Sequence, residues 1–295
     1  MLTLPSIRSD HFEGVGTVNA VRRLLEYGWD KESPPLLHAR RVLFRLLAED
    51  TDPEFLYELA GKSNDEELVR RGRAILREAA GAALAQAGYE DDPRLRGVAR
   101  RVLERIASFL RSPLAQKPWV RTGNQHVLAA EAQPPSMYAL VMFAHMPLFR
   151  TEHHEAMDRL YQFLMQPLPR QEPMQLFGRK VVAQPHLVMG DHLPNRNAAD
   201  VDVPSAVTWL ELMARLGFLR RNDNWLKLFD RFLDDRDENG VWHPHKGMAA
   251  VRSHNPFVWP TYPLEEALSG DERWTDATFR LGLIARILGR SIESV

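Results

Sequence analysis

Asp200 and Asp202 stand one residue apart in ADVDVPSAVTWLELMARLGF, residues 199–218, just ahead of an apolar helical run. Two carboxyls held that close in a site poor in water resist joint ionisation, because like charge and desolvation both oppose the second charge. One then keeps its proton. A neutral acid beside a carboxylate is the donor needed to protonate an alkene or an epoxide. A histidine from WHPHK, either His243 or His245, could hydrogen-bond that acid and sharpen it. The resulting cation must be kept from water by aromatic faces, which attract positive charge through their quadrupoles. Trp209, Trp242, Phe257, Trp259 and Tyr262 lie near in sequence.

The same aspartates also suit a structural task. Asp202 precedes Val203 and Pro204 as an N-cap, and Asp200 complements the dipole of the helix that follows. His243, His245 and His254 with either aspartate make a nitrogen and oxygen set that suits zinc or iron chemically. The signal is short, and neither a metal nor a cofactor is expected. Tryptophans 242 and 259 also fit the role of packing wedges at helix ends.

Positioning such groups falls to helices. GTVNAVRRLLEYG, residues 16–28, places Val18, Val21, Leu24 and Leu25 at three- and four-residue spacing and stops at Gly28, and a proline-led helix follows. The phrase recurs. Leu95, Val98, Ala99, Val102, Leu103 and Ile106 trace one face of the second helix of the next pair, after a stop at Gly88 and an acidic cap at Asp91 or Asp92. The turns at 28, 88, 147 and 217 lie 60, 59 and 70 residues apart, the period of a helical array. Long connections at 112–134, 167–199 and 236–263 hold His126, His186, His192, His243, His245 and His254, and loops of that length usually work. Strand alternation is confined to a short RKVVAQP, so the chain is expected to be nearly all-α. The closing ATFRLGLIARILGR is too apolar to cap an open array, and the helix at 203–216 leaves only Thr208, Glu211 and Arg215 as a polar stripe. Both features suit an array that closes on itself.

Composition excludes whole classes. With 38 basic and 39 acidic side chains in 295 residues, the formal charge of -1 offers no general attraction to nucleic acid or anionic lipid. Hydrophobic residues at 44% and charged ones at 26% suit a globular protein with a sizeable core. No cysteine is present, which removes disulfides and thiolate chemistry and suits the cytoplasm. No window approaches the ~20 apolar residues of a membrane span, and no leader-like segment opens the chain.

RDENGVW, Arg236 to Trp242, resembles the Q-x-x-x-G-x-W turn of the squalene cyclase repeats, with Arg236 in place of the usual glutamine. ADVDVPSAVTWLELMARLG resembles the helix start that carries the D-x-D-D motif of class II terpenoid cyclases. Helix pairs such as ALAQAGYEDDPRLRGVARRVL are similar to those of the terpenoid cyclase and protein prenyltransferase toroids. The motif-level likeness covers about residues 199–262. It implies an all-α fold, an α/α toroid of about five to six helix pairs, formed by residues 1–295 as a single domain. It also implies a general-acid role for Asp202 with Asp200 as its partner, His245 in support, and an isoprenoid or other extended apolar molecule as substrate. Val203 stands where the third aspartate of the motif would be, and a cavity closed by a second domain in those cyclases would here need a homodimer. The opposing class is a non-catalytic helical-repeat protein that binds a peptide, lipid or protein partner. On the cyclase reading, Asp202→Asn abolishes turnover of a panel of polyprenyl compounds while the circular dichroism spectrum is kept. Inactivity of the unmodified chain towards the whole panel favours the binding class.

Overall fold

A computed structural model describes residues 17–48, 66–169, 171–177, 180–244 and 274–291. His245, His254, Phe257, Trp259 and Tyr262, singled out in the sequence, lie outside these residues. The chain divides into two compact units, Met1–Gly190 and Asp191–Val295. It is mostly helical, at 62% of the described residues. No described helix is long and apolar enough to cross a membrane.

The first unit opens with α1 (Thr17–Glu26) and α2 (Pro34–Ala48), followed by α3 (Glu66–Gln86) and α4 (Pro93–Arg111). The turn between α3 and α4 follows from its residues. Gly88 takes φ +81°, a left-handed conformation that lets Tyr89 N–H reach back to the Leu84 carbonyl at 3.1 Å and close the helix end. Asp92 then accepts from Arg94 N–H at 2.9 Å, and Pro93 fills the first helical position, where no N–H is needed. All six apolar positions read from the sequence of α4 are buried. α5 (Met137–Ala144) is buried from Tyr138 to Ala144 and packs closely on α3, where a Cβ at Gly81 would lie 2.7 Å from the Met142 sulfur. α6 (Pro147–Glu152) and α7 (His154–Leu164) complete this helical part.

The nearly all-α expectation needs correction. Four short strands, β1 (Trp119–Thr122), β2 (Gln125–Leu128), β3 (Met174–Phe177) and β4 (Lys180–Ala183), form one sheet in the order β1-β2-β3-β4. The outer pairs are antiparallel hairpins, and β2 meets β3 in parallel at Leu128 and Gln175. Strands of four residues are too short for a period of two to stand out, and β1 is intermediate-exposed-exposed-intermediate along its length. Only β4 lies within the flagged RKVVAQP.

The second unit holds α8 (Arg196–Val201), α9 (Val203–Arg215), α10 (Asp223–Asp234) and α11 (Trp274–Ile287). Its core gathers Trp209, Leu210, Met213, Trp225, Phe229, Phe232 and Trp242. Glu211 of α9 is buried and meets Arg280 of α11 at 2.8 Å and Arg215, one turn on, at 2.8 Å. Burial works to raise the Glu211 carboxyl, but the two guanidiniums outweigh it and hold it at about 2. The polar stripe of α9 is thus covered by an arginine of the closing helix.

Gly190 has φ +153°, and a Cβ there would lie 2.5 Å from the Gln166 carbonyl oxygen and 3.2 Å from Pro167. At Gly88 a Cβ would meet nothing within 4 Å. Gly88→Ala should therefore cost only the left-handed backbone penalty of about 1–2 kcal/mol. Gly190→Ala should cost more, at least about 2–3 kcal/mol, because backbone must move as well. Urea denaturation of both variants checks this order, and equal losses would contradict it.

Candidate functional site

At the junction of α8 and α9, Asp202 accepts from Ser205 N–H at 2.9 Å and caps α9. Asp200 accepts a hydrogen bond from the Arg231 guanidinium and lies 3.7 Å from that of Arg196. Each aspartate thus has a structural partner. Trp209 is buried, its ring 4.6 Å from that of His192 and edge-on to Trp225 at 6.2 Å. Trp242 is buried against Phe232 at 6.0 Å. It closes the 236–242 turn, where Gly240 has φ +77° and Arg236 bridges to Trp242. His243 Nε2 sits 2.8 Å from Asp237 Oδ2. Among the described residues no group of three or more His, Asp or Glu is arranged around a metal position.

Sequence reasoning passed over Asp191. Burial raises its carboxyl, against hydrogen bonds from Leu193 N–H at 2.8 Å and Trp225 Nε1–H at 3.0 Å. Burial likewise lowers the neighbouring His192 imidazole to about 4.

The first unit holds a site with both polar groups and space, and it too was missed. Glu78 of α3 is 4% exposed. A carboxylate so placed needs compensation, and it receives it from two directions. Arg105 of α4 lies 2.6 Å from one oxygen, and Ser136 Oγ–H donates to the other. Ser136 also caps α5, its Oγ accepting from Ala139 N–H at 3.0 Å, so Glu78 faces the positive end of that helix. Two backbone bonds fix the segment after β4 to the same point: Met137 N–H to the His186 carbonyl and Val188 N–H to the Pro135 carbonyl, each 2.8 Å. Gln175 in β3 donates through its side chain to the Ala129 carbonyl at 3.0 Å and the Ala132 carbonyl at 3.3 Å, which holds the turn that forms the opposite wall.

Between these groups opens a cleft of about 310 Å³, lined by Glu78, Arg105, Ser136, Gln175, Gln184 and His186 together with apolar Ile75, Pro134 and Leu187. Burial lowers the His186 imidazole to about 4, with Glu78 pulling it up and Arg105 pushing it down. It is neutral near pH 7 and offers one donor and one acceptor. The guanidinium offsets the carboxylate, so the cleft has many hydrogen-bonding groups and little net charge. Ser136 donates to a carboxylate already engaged by arginine, rather than to an imidazole. Its geometry is that of a helix cap, without the hydroxyl–base pair of an activated nucleophile.

The signals for this site were present but quiet. Glu78 falls three residues after Ile75 and four before Ala82, on the apolar face of α3, where an acid needs a reason. Ser136 stands just ahead of the apolar run MYALVMFA, as an N-cap should.

A depressed histidine has a definite sign. Below about 6.5 the unfolded chain takes up a proton at His186, and the folded chain does so only near 4, so stability falls as the pH is lowered through that interval. Nitrogen-detected NMR of the His186 ring should show a neutral imidazole at pH 5.5, and titration near 6.5 would contradict the burial argument. No protein-family model, curated protein or solved structure matches the chain, so the site is read from its own geometry.

Proposed function

We propose that this protein is a helical binding protein whose ligand is a small polar group with both hydrogen-bond donors and acceptors, held in the Glu78–Ser136–His186 cleft. One observation carries the reading. A buried carboxylate, compensated by arginine and a helix N-terminus, borders an open cleft that also presents a neutral imidazole and two buried glutamines. Such convergent polar groups in a partly apolar hollow are how small-molecule sites fix orientation. The near balance of charge favours a neutral or zwitterionic ligand over an anion or a bare cation. A polar ligand also replaces the extended apolar substrate that the terpenoid cyclase resemblance implies, since the acid-initiated reading rests on the sequence likeness alone. The repeated hairpins support reading the helical part as the array of an α/α toroid, and the cysteine-free composition suits a cytoplasmic setting.

Saturation-transfer NMR with amino acids, N-acetyl amino-acid amides and monosaccharides tests this on the full chain. At least one class should bind. Gln184→Ala and Glu78→Gln should each weaken it by about tenfold, the loss of a buried hydrogen bond or more. Thermal melts separate loss of binding from loss of fold. Binding by none of the compounds, or binding untouched by either substitution, overturns the proposal.

A further inference from the structure

Two further clefts adjoin the polar one along α4. A second cleft of about 600 Å³ shares Arg105 and Gln133 with it and runs past Ser108 and Ser112. A third, about 490 Å³, shares Ser112 with the second and ends between Arg111 of α4 and Arg159 of α7. Arg105, Ser108 and the C-cap Ser112 fall at three- and four-residue intervals, so one stripe of α4 and its cap line the groove up to the helix end. From Arg105 to Ser112 the helix rises about 10 Å. With the end clefts added, the groove spans on the order of 20 Å, the reach of about six residues of extended chain.

We infer that this groove binds an extended peptide, with a C-terminal or side-chain carboxylate at Arg111 and Arg159 and a polar side chain in the Glu78–His186 cleft. The inference rests on the proposed function and names its ligand class. Side-chain amides recur along the path, at Gln133, Gln116, Gln162 and Gln166, all exposed. Each offers a donor and an acceptor, the complement of an extended backbone that alternates N–H and C=O. Arg111 and Arg159 are exposed, and among the described residues no carboxylate pairs with either. A guanidinium pair is suited to a carboxylate. The other polymers fit less well. Nucleic acid calls for stacking platforms and strong positive charge. Here Phe109 and Phe163 are buried edge-on against each other at 5.7 Å, Glu78 pairs with Arg105, and Glu131 adds a negative charge to the middle cleft. An oligosaccharide would likewise find no exposed ring to stack on in the groove.

A library of random heptapeptides displayed with free C-termini, selected on the full chain, tests the inference. Enriched sequences are then made as fluorescein-labelled peptides and measured by polarisation. Arg111→Ala with Arg159→Ala should weaken them by about tenfold, as should amidation of the terminus where the carboxylate is terminal. Gln184→Ala should weaken them as well. The inference is overturned by absence of enrichment, by peptides indifferent to the arginine pair, or by groove-dependent binding of single-stranded DNA or an oligosaccharide instead. If small polar compounds still bind through Gln184 in those cases, the cleft reading survives and only its extension to peptides falls.

Discussion

The first unit is organised around one buried carboxylate. Glu78 cannot sit on the apolar face of α3 without partners, and the partners it recruits come from α4 and from the first residue ahead of α5. Removing Arg105 would leave the charge without its counter-ion, and removing Ser136 would leave one buried oxygen without its hydrogen bond. That cost is on the order of a few kcal/mol, with Arg105 at the lower end because its side chain is 30% exposed and partly screened by water. The constraint therefore brings three helices to a common point. Through the backbone bonds at Met137 and Val188 it draws in the 184–188 segment, and with it His186 and Gln184. The cleft is the space those commitments leave between them.

Charge compensation by arginine recurs in the second unit. Glu211 is enclosed between Arg280 and Arg215, and Asp200 accepts from Arg231. Asp202 spends an oxygen on the first turn of its own helix. The two guanidiniums beside Glu211 favour its carboxylate over the neutral acid. In that unit the environment that favours a neutral acid surrounds Asp191, where burial dominates and the indole of Trp225 supplies a hydrogen bond.

The helical pairs were legible because they are long and repeat one grammar. The stop at Gly88 and the buried face of α4 appear where spacing put them, the cap left between Asp91 and Asp92 falls to Asp92, and the Asp202 cap suits the Pro204 two residues on. Other features depend on residues far apart in the chain. The sheet joins strands of four residues, and its one parallel contact, Leu128 to Gln175, crosses 47 positions. Glu78, Ser136 and His186 belong to three separate segments, and no local spacing ties the acid, the cap and the loop histidine to one another. The Asp200–Asp202 pair announced itself because its members are adjacent in sequence.

The most direct measurement is a backbone-amide NMR map of the full chain titrated with an N-acetylated, C-amidated dipeptide containing glutamine. The account predicts shifts concentrated at residues 136–139 and 184–188, which share the Ser136 and His186 anchor points and border the cleft. Shifts centred instead on the α8–α9 junction, or none at any concentration that leaves the protein folded, would contradict it.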